Sequence, residues 1–189
     1  MEEKSRAAGI GVQDTGTQMP PQGGVEVDVW GYTARSECEV VIVPTLVALG
    51  DPYRLDPLAQ NNRDSGGGPF CKQPGLTNDV LTGARAAGLS SVGELVMLWG
   101  RCERIRNDPG GTQTDFWVND GTNLGDDYHP ETPRDGVRVR IPPGYAGAVE
   151  LRKYYAVTGI MRTYLTFRDD CVRYLWPRVD ADIVLIPEP

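Results

Sequence analysis

Side chains able to perform acid–base or nucleophilic chemistry are few in this 189-residue sequence, and they are poorly grouped. The single histidine, His129, lies in the proline-flanked stretch DDYHPETP, and no serine or cysteine motif supplies a nucleophile for it. The adjacent acids at 126–127 and at 169–170 are typical of solvated turns, and no glycine-rich phosphate loop is present. The sequence therefore predicts a protein that is not an enzyme and that needs no cofactor.

The stretch NDGTNLGDD offers the hard oxygen ligands that a calcium ion prefers. The candidate ligands are Asp120, Asn123, Asp126 and Asp127. The spacing and the terminal glutamate of an EF-hand loop are absent, and a hairpin turn built from Asp-Gly and Asn accounts for the same residue types. We therefore expect a turn here, with calcium as the weaker alternative.

Aromatic side chains could form a stacking face for a sugar or a nucleobase. The candidates are Trp30, Trp99, Trp117, Tyr154 and Trp176. All of them lie in strand-like runs, where aromatic rings commonly pack in a core or an interface. The formal net charge of -7 disfavours nucleic acid, whose phosphates require a basic face. A glycan is thus the favoured ligand for such a surface.

Four cysteines, Cys38, Cys71, Cys102 and Cys171, occur without C-x-x-C spacing, and with a single histidine they do not predict a zinc site. Two disulfides in an oxidising compartment are one interpretation, in any of the pairings that four cysteines allow. Four buried free thiols are the other interpretation. No apolar run approaches the ~20 residues that a membrane-spanning helix needs.

Composition and patterning indicate an all-β fold. The 23 glycines and 15 prolines imply many turns between short elements. Few windows have a helical period, whereas Val, Ile, Thr, Tyr and Trp gather in short runs that are typical of strands.

Three stretches near the N-terminus recur in the same order further along the chain. The pairs are GIGV (9–12) with GVRV (136–139), VEVDVWGYT (25–33) with KYYAVTGIM (153–161), and CEVVIVP (38–44) with CVRYLWP (171–177). Their offsets drift slowly, from 127 through 128 to 133, as short loop insertions would produce. This order predicts a diverged internal duplication.

The second copy, residues 91–189, contains five strand-like runs. They are GELVMLWGRCERIR, TDFWVND, GVRVRI, ELRKYYAVTGIM and CVRYLWPRVDADIVLI. A long first strand with Gly100 at its bend, and glycines at further bends, predict a closed five-stranded barrel of the oligonucleotide/oligosaccharide-binding (OB) type.

The first copy, residues 1–50, contains only the counterparts of strands three, four and five, and MEE aligns with the end of strand two. A barrel without its first two strands exposes edges and half of its interior, so we expect another element to complete it. Met1 is accordingly expected to be either no natural beginning or the start of a barrel that another chain completes. Residues 51–90 are rich in Gly, Pro and Asn and predict an ordered connector without strands that wraps a barrel.

The stretches DPLAQNNRDSGGGPF, GLSSVGELVMLWGRCERI, DFWVNDGTNL and DADIVLI, with GVRV and AVTGI between them, carry a family resemblance. Together they resemble the OB-like repeat modules of large secreted and cell-surface proteins of environmental bacteria, in which a P-L-x-x-N-N-R connector joins successive barrels. The resemblance covers nearly the whole chain. It implies an extracellular or cell-surface location and a barrel architecture rather than a particular chemistry.

These observations predict a non-catalytic extracellular structural subunit that assembles into a fibre by β-strand complementation. The residues expected at the open edges are Ile10, Val12, Val25, Val27 and Val29. Its partners would be copies of itself or neighbouring barrels of a longer chain. The alternatives are a carbohydrate-binding surface module and, disfavoured by charge, a nucleic-acid-binding OB module.

Overall fold

The computed structural model describes residues 9–13, 24–70, 72–128 and 134–187, and over these ranges it confirms the all-β prediction. The strands are β1 (Gly11–Val12), β2 (Val25–Ser36), β3 (Glu39–Pro52), β4 (Leu58–Ala59), β5 (Thr77–Asp79), β6 (Ala84–Arg85), β7 (Leu95–Asn107), β8 (Gln113–Asn119), β9 (Val137–Arg140), β10 (Tyr154–Leu165), β11 (Cys171–Trp176) and β12 (Ile183–Ile186). The only helical element within these ranges is a short 3₁₀ turn, Asp180–Asp182.

The larger sheet is built from the second half of the chain. β7 pairs with β8 and β8 with β9, in antiparallel fashion, and β9 pairs with β11 in parallel. β11 pairs with the second half of β10, whose first half pairs with β7. The pairings thus lead from β7 through four further strands back to β7. β12 adds to β10, and β4 adds to β7.

The main core lies between these strands, because their inward-facing residues alternate with outward ones. It is formed by Val96, Leu98, Cys102, Phe116, Val118, Val137, Val139, Ile141, Val149, Tyr155, Val157, Met161, Leu175 and Ile183. Gly100 interrupts β7 at its crossing with the end of β8. A Cβ at Gly100 would lie 2.5 Å from the carbonyl carbon of Asn119, so only glycine permits this close approach.

The first half of the chain forms a separate three-stranded sheet, in the order β1–β3–β2. β1 runs parallel to β3, and β2 and β3 form a long antiparallel hairpin. Its tight turn contains Glu37, whose φ of 52° lies in the left-handed region. A bulge between Trp30 and Gly31 leaves Thr45 as the extra residue on β3.

The prediction that residues 51–90 contain no strands is wrong. They contain β4, β5 and β6, which were not recognised because each has only two or three residues. Leu76 and Ala86 pack there with Val92 in a second small core. The Asn62 side chain donates a 2.7 Å hydrogen bond to the carbonyl of Val118 and so fixes the connector against β8.

The predicted fifth strand of the second copy is in fact two strands. The 3₁₀ turn separates β11 from β12, and the Asp182 carboxylate stabilises this turn by accepting hydrogen bonds from the backbone and side chain of Arg178. In the first copy one continuous strand, β3, pairs along nearly the whole of β2. The extra turn therefore interrupts a strand that the first copy keeps intact.

Candidate assembly site

The first sheet has the same pairing register as strands β9, β10 and β11. Gly11 of β1 lies opposite Val41 of β3. At offsets of 127 and 133 these positions become Arg138 and Tyr174, which lie opposite each other between β9 and β11. The β2–β3 hairpin matches the β10–β11 hairpin in the same way, at offsets of 128 and 133.

Equivalent glycines also make equivalent backbone approaches. A Cβ on Gly31 would lie 2.1 Å from the carbonyl oxygen of Val43, and one on Gly159 would lie 2.7 Å from that of Trp176. Val43 and Trp176 correspond at the offset of 133. The two hairpins therefore cross at the same point of the motif, where a side chain would separate their strands.

The two copies differ in the burial of their inner faces. In the second copy the inner positions Val137, Val139, Tyr155, Val157 and Leu175 are at most 2% exposed. The corresponding residues of the first copy are Ile10, Val12, Val27, Val29 and Ile42, and each is only half-buried. The burial differs because β7 and β8 cover the inner face of the second copy. The described residues contain no counterpart of these two strands over the first copy.

The uncovered inner face lines a groove of about 1620 Å³. Val25 and Val27 form part of one wall, and the outer face of β10, through Thr158 and Ile160, forms part of another. Residues 52–57 of the connector contribute further lining. Small-molecule pockets usually measure ~300–1,000 Å³, so the size of this groove suits a polypeptide segment better.

Two strand edges border this groove. Among the named strands β2 pairs only with β3, whereas the equivalent edge of β10 is occupied by β7 through the pairing of Tyr154–Ile160 with residues 95–101. β1 likewise pairs with β3 alone among these strands, whereas β9 also pairs with β8. Such edges are ready to add further strands.

The first sheet is fixed to the rest of the molecule at its hairpin end. Cys38 and Cys171 form a disulfide across a sequence separation of 133, which joins equivalent positions of the two copies and confirms that a disulfide is present. Glu39, almost fully buried, accepts a 2.8 Å hydrogen bond from Arg162 of β10. The Gln73 side chain donates to the Cys38 carbonyl and accepts from the backbone N–H of residue 40. No sequence motif pointed to Gln73 or Glu39.

The other candidate disulfide residues have different outcomes. Cys102 is a buried free thiol, so its predicted role in a disulfide is wrong. It lies on the inner face of β7, where burial raises its pKa to about 12 and its Sγ is 3.6 Å from the Arg104 carbonyl. Cys71 lies outside the described residues, as does His129.

The aromatic candidates do not form one surface. Trp117 is 1% exposed and its ring is covered by the Arg104 guanidinium at 3.4 Å, so it is excluded as a stacking platform. Trp30, Trp99, Tyr154 and Trp176 are exposed. Only Trp99 and Tyr154 are diagonal neighbours, on adjacent strands β7 and β10, because Trp99 lies opposite Ala156. The Trp176 ring faces Arg162 at 5.4 Å.

The calcium candidates Asp120, Asn123, Asp126 and Asp127 do not converge on one point. Asp120 accepts the backbone N–H of Asn62, Asp127 pairs with Arg104 and Asp126 lies beside Arg173. Asn123 adopts a left-handed turn conformation, with φ 54°. Among the described residues no three His, Cys, Asp or Glu side chains are arranged to hold a metal ion. These carboxylates serve as hydrogen-bond and ion-pair partners.

The second copy contains a buried ion network that the sequence pattern did not reveal. Asp126 and Arg173 are fully buried with their charged groups 3.2 Å apart, and burial raises the pKa of Asp126 to about 7. Burial also lowers the pKa of Arg173. Nearby, burial alone would raise the pKa of Asp115, but hydrogen bonding and charge from Arg138 and Arg106 hold it below its usual value.

No protein-family model, curated protein or solved structure matches this chain. No helix within the described ranges is long and apolar enough to cross a membrane. The function of the chain must therefore be argued from the geometry of the first sheet and its groove.

Proposed function

We propose that this chain is a non-catalytic, extracellular structural subunit that assembles into a fibre by β-strand complementation at its first sheet. One observation carries the proposal: two sheets share one pairing register, yet the inner face is buried in the second and half-open in the first. In this proposal residues 1–50 are a partial OB-like barrel, 51–90 a wrapped connector and 91–189 a complete OB-like barrel.

The order of strand pairing supports the barrel interpretation. β7, β8, β9, β10 and β11 stand for strands one to five, and their pairings follow the order 1-2-3-5-4-1 of a five-stranded Greek-key barrel. The first sheet has the counterparts of strands three, four and five in the same register. Completing it requires strands at positions one and two.

The free energy gained by burying apolar side chains favours the addition of strands to the first sheet. Fully burying a Val, Leu or Ile side chain contributes about 1.5–3 kcal/mol, so finishing the burial of five half-buried side chains contributes roughly 5 kcal/mol. New main-chain hydrogen bonds along β2 would add to this. Contacts between an acceptor sheet on one molecule and a different surface on the next are heterologous, and unless they close into a ring they produce filaments.

Two observations support an extracellular location in this proposal. A structural disulfide is typical of secreted and surface proteins. The connector and strand motifs also resemble those of OB-like repeat modules in large secreted and cell-surface proteins of environmental bacteria. In a longer chain of that kind a neighbouring barrel, rather than another copy, would supply the missing strands.

Assembly is tested by placing two charges on the inner face of β2. Wild-type protein and the variant Val27→Asp/Val29→Asp are compared by sedimentation velocity and negative-stain imaging over a concentration series. The matched control is Tyr32→Asp, an exposed position on the same strand. We expect polymers from the wild type and the control, and monomers from the double variant. A wild type that stays monomeric at about micromolar concentration overturns self-assembly, since such contacts are normally micromolar or tighter.

Glycan binding is the second candidate, and the exposed neighbours Trp99 and Tyr154 favour it. They are 42% and 46% exposed on one sheet face, beside the Arg101–Glu103 ion pair. Two aromatic rings flanked by polar groups can stack on a sugar and hydrogen-bond its hydroxyls. Screening on a glycan array with wild type and Trp99→Ala tests this: loss of a signal in the variant supports it, and no wild-type signal contradicts it.

A further inference from the structure

We infer that the element completing the first sheet is a two-stranded antiparallel β-hairpin with the apolar pattern of β7–β8, supplied by a polypeptide segment other than a second copy of residues 93–120. The inference rests on the strand complementation proposed above and specifies its partner. The second copy itself serves as the template, because it shows which strands cover an inner face of this register.

The first donated strand is placed by the pairing of β7 with β10. There Leu98 lies opposite Val157 and Val96 opposite Gly159. Val157 and Gly159 correspond to Val29 and Gly31 at the offset of 128. An antiparallel strand along the edge of β2 therefore brings a Leu-like side chain over Val29, and alternate residues of that strand point into the groove.

The second donated strand is placed by the pairing of β8 with β9. Phe116 lies opposite Val139, the counterpart of Val12. Before the start of β1 the edge is already occupied by the backbone of Gly93, because a Cβ on Gly9 would lie 2.3 Å from the carbonyl carbon of Gly93. The donated strand consequently runs along residues 11–13 and ends before Gly9.

The chemistry of the groove fixes the chemistry of the hairpin. The inner side chains that it must cover include Val25, Val27, Val40 and Ile42, with Arg35 opposite Val40 at the hairpin end. Charged residues on the other walls of the groove include Arg54, Asp56 and Arg178. Position 40 is the counterpart of Arg173, so the first copy has no buried cation that would need an acidic partner. The hairpin thus presents an apolar face to the valines of β2 and β3, where a charged residue would be desolvated without a partner, and its other face meets the charged walls of the groove.

A second copy cannot donate its own β7–β8 hairpin without loss. Leu98, Phe116 and Val118 are fully buried in their own core, and removing them would open one sheet in order to close another. A single strand is also insufficient, because it would leave either the β1 edge or the β2 edge exposed. The donor is therefore a separate hairpin of the same type, as the first two strands of another barrel would be.

The test supplies the hairpin by fusion to the full chain. A copy of residues 93–120 carrying Cys102→Ser is joined ahead of Met1 through a flexible Gly/Ser linker. The matched control carries Leu98→Ser and Phe116→Ser in the added copy alone. We expect amide hydrogen exchange at Val27 and Val29 to slow by about 100-fold or more in the fusion, and not in the control. Equal exchange in the two fusions overturns the inference.

Sedimentation of the unfused chain separates this result from the proposed function. If the unfused chain polymerises and the fusion is monomeric with Val27 protected, self-assembly at the first sheet holds, the hairpin fills the same site, and the exclusion of a second copy as its source is overturned. If the unfused chain is monomeric and the fusion is protected, self-assembly fails and the hairpin partner is supported. If both chains polymerise and Val27 is protected equally in the unfused chain, the fusion and the control fusion, complementation between copies holds and the hairpin inference is overturned.

Discussion

The two copies of the motif have the same strands in the same register, but only one of them has a buried core. Leu175 and Ile42 occupy equivalent positions, and Leu175 is fully buried while Ile42 is half-buried. The difference lies in β7 and β8, which cover the second copy and have no counterpart over the first in the described part of the chain. Alternation and register therefore define a face, and burial depends on what packs against it.

The copies also differ in where they hold charge. The second copy places Arg173 and Asp126 in its interior, whereas the first has Val40 at the position of Arg173. A buried ion pair adds little net stability and is costly to break. The first copy avoids this cost, because Val40 and Ile42 occupy its inner positions and Arg35, on the same face, is exposed. The same motif thus supports a buried interior that contains an ion pair and a half-exposed face that buries none.

The largest expected effect comes from removing the covalent link between the copies. Replacing both cysteines, Cys38→Ser and Cys171→Ser, should lower the free energy of unfolding by about 3–5 kcal/mol, because the disulfide closes a long loop in the unfolded chain. Urea unfolding of the oxidised wild type and of the double variant measures this.

Native-state hydrogen exchange of the same disulfide variant shows where the stability is lost. We expect β2 and β3 to exchange faster, and β10 and β11 to change less, because the first sheet has the smaller core. Equal acceleration of exchange in both sheets would contradict a loss of stability centred on the first sheet.

A smaller change in the free energy of unfolding is expected from substitutions at equivalent inner positions of the two copies. Leu175→Ala should destabilise the monomer by about 2–5 kcal/mol, because it leaves a cavity in a closed core. Ile42→Ala should cost roughly 1 kcal/mol or less, since its site is already half open to water. Chemical unfolding of the two single variants at low protein concentration makes the comparison.

The same pair of variants also reports on completion of the first sheet. In assembled or hairpin-completed protein the cost of Ile42→Ala should approach that of Leu175→Ala, because the site is then closed. If Ile42→Ala stays inexpensive there, the groove has not been filled.

The last expected effect is a pH dependence that arises in the second copy. The Asp126 carboxyl has a pKa of about 7 in the folded chain against 3.8 for the ordinary group. Between roughly pH 4 and 7 the folded state holds this proton and the unfolded state does not, so the free energy of unfolding falls as the pH rises. Asp126→Asn should flatten this decline between about pH 4 and pH 7.

The control for that measurement is Asp108→Asn, an exposed carboxylate in the turn after β7. It should retain the wild-type dependence of unfolding free energy on pH. A slope that is the same in all three proteins would show that Asp126 does not hold a proton in the folded state.

Local pattern was enough to predict the long strands and the duplication motif. The alternation in VEVDV and GVRVR reports a strand face directly, because side chains alternate along a strand. It could not predict β4 or β6, since two residues carry no period. It also missed the separation of β11 from β12, because the turn between them depends on Arg178 and Asp182.

Some candidate site residues could likewise be predicted from local pattern, whereas others depended on tertiary contacts. The predicted edge residues Val25, Val27 and Val29 belong to β2 and are half-buried, as an uncovered strand face would be. Trp117, in contrast, looked like the other aromatic candidates in sequence and is fully covered, because Arg104 of the neighbouring strand stacks on it. Whether an aromatic ring is available depends on its neighbours in space.

The sequence by itself determined the all-β class, the apolar alternation of each strand and the order of the repeated stretches, since these follow from local composition and period. Tertiary structure alone selected Cys171 as the partner of Cys38 and kept Cys102 reduced. It also decided that the inner face is buried in one copy and half-exposed in the other. These outcomes depend on which distant segments meet, and a period of two residues says nothing about what lies across the face it creates.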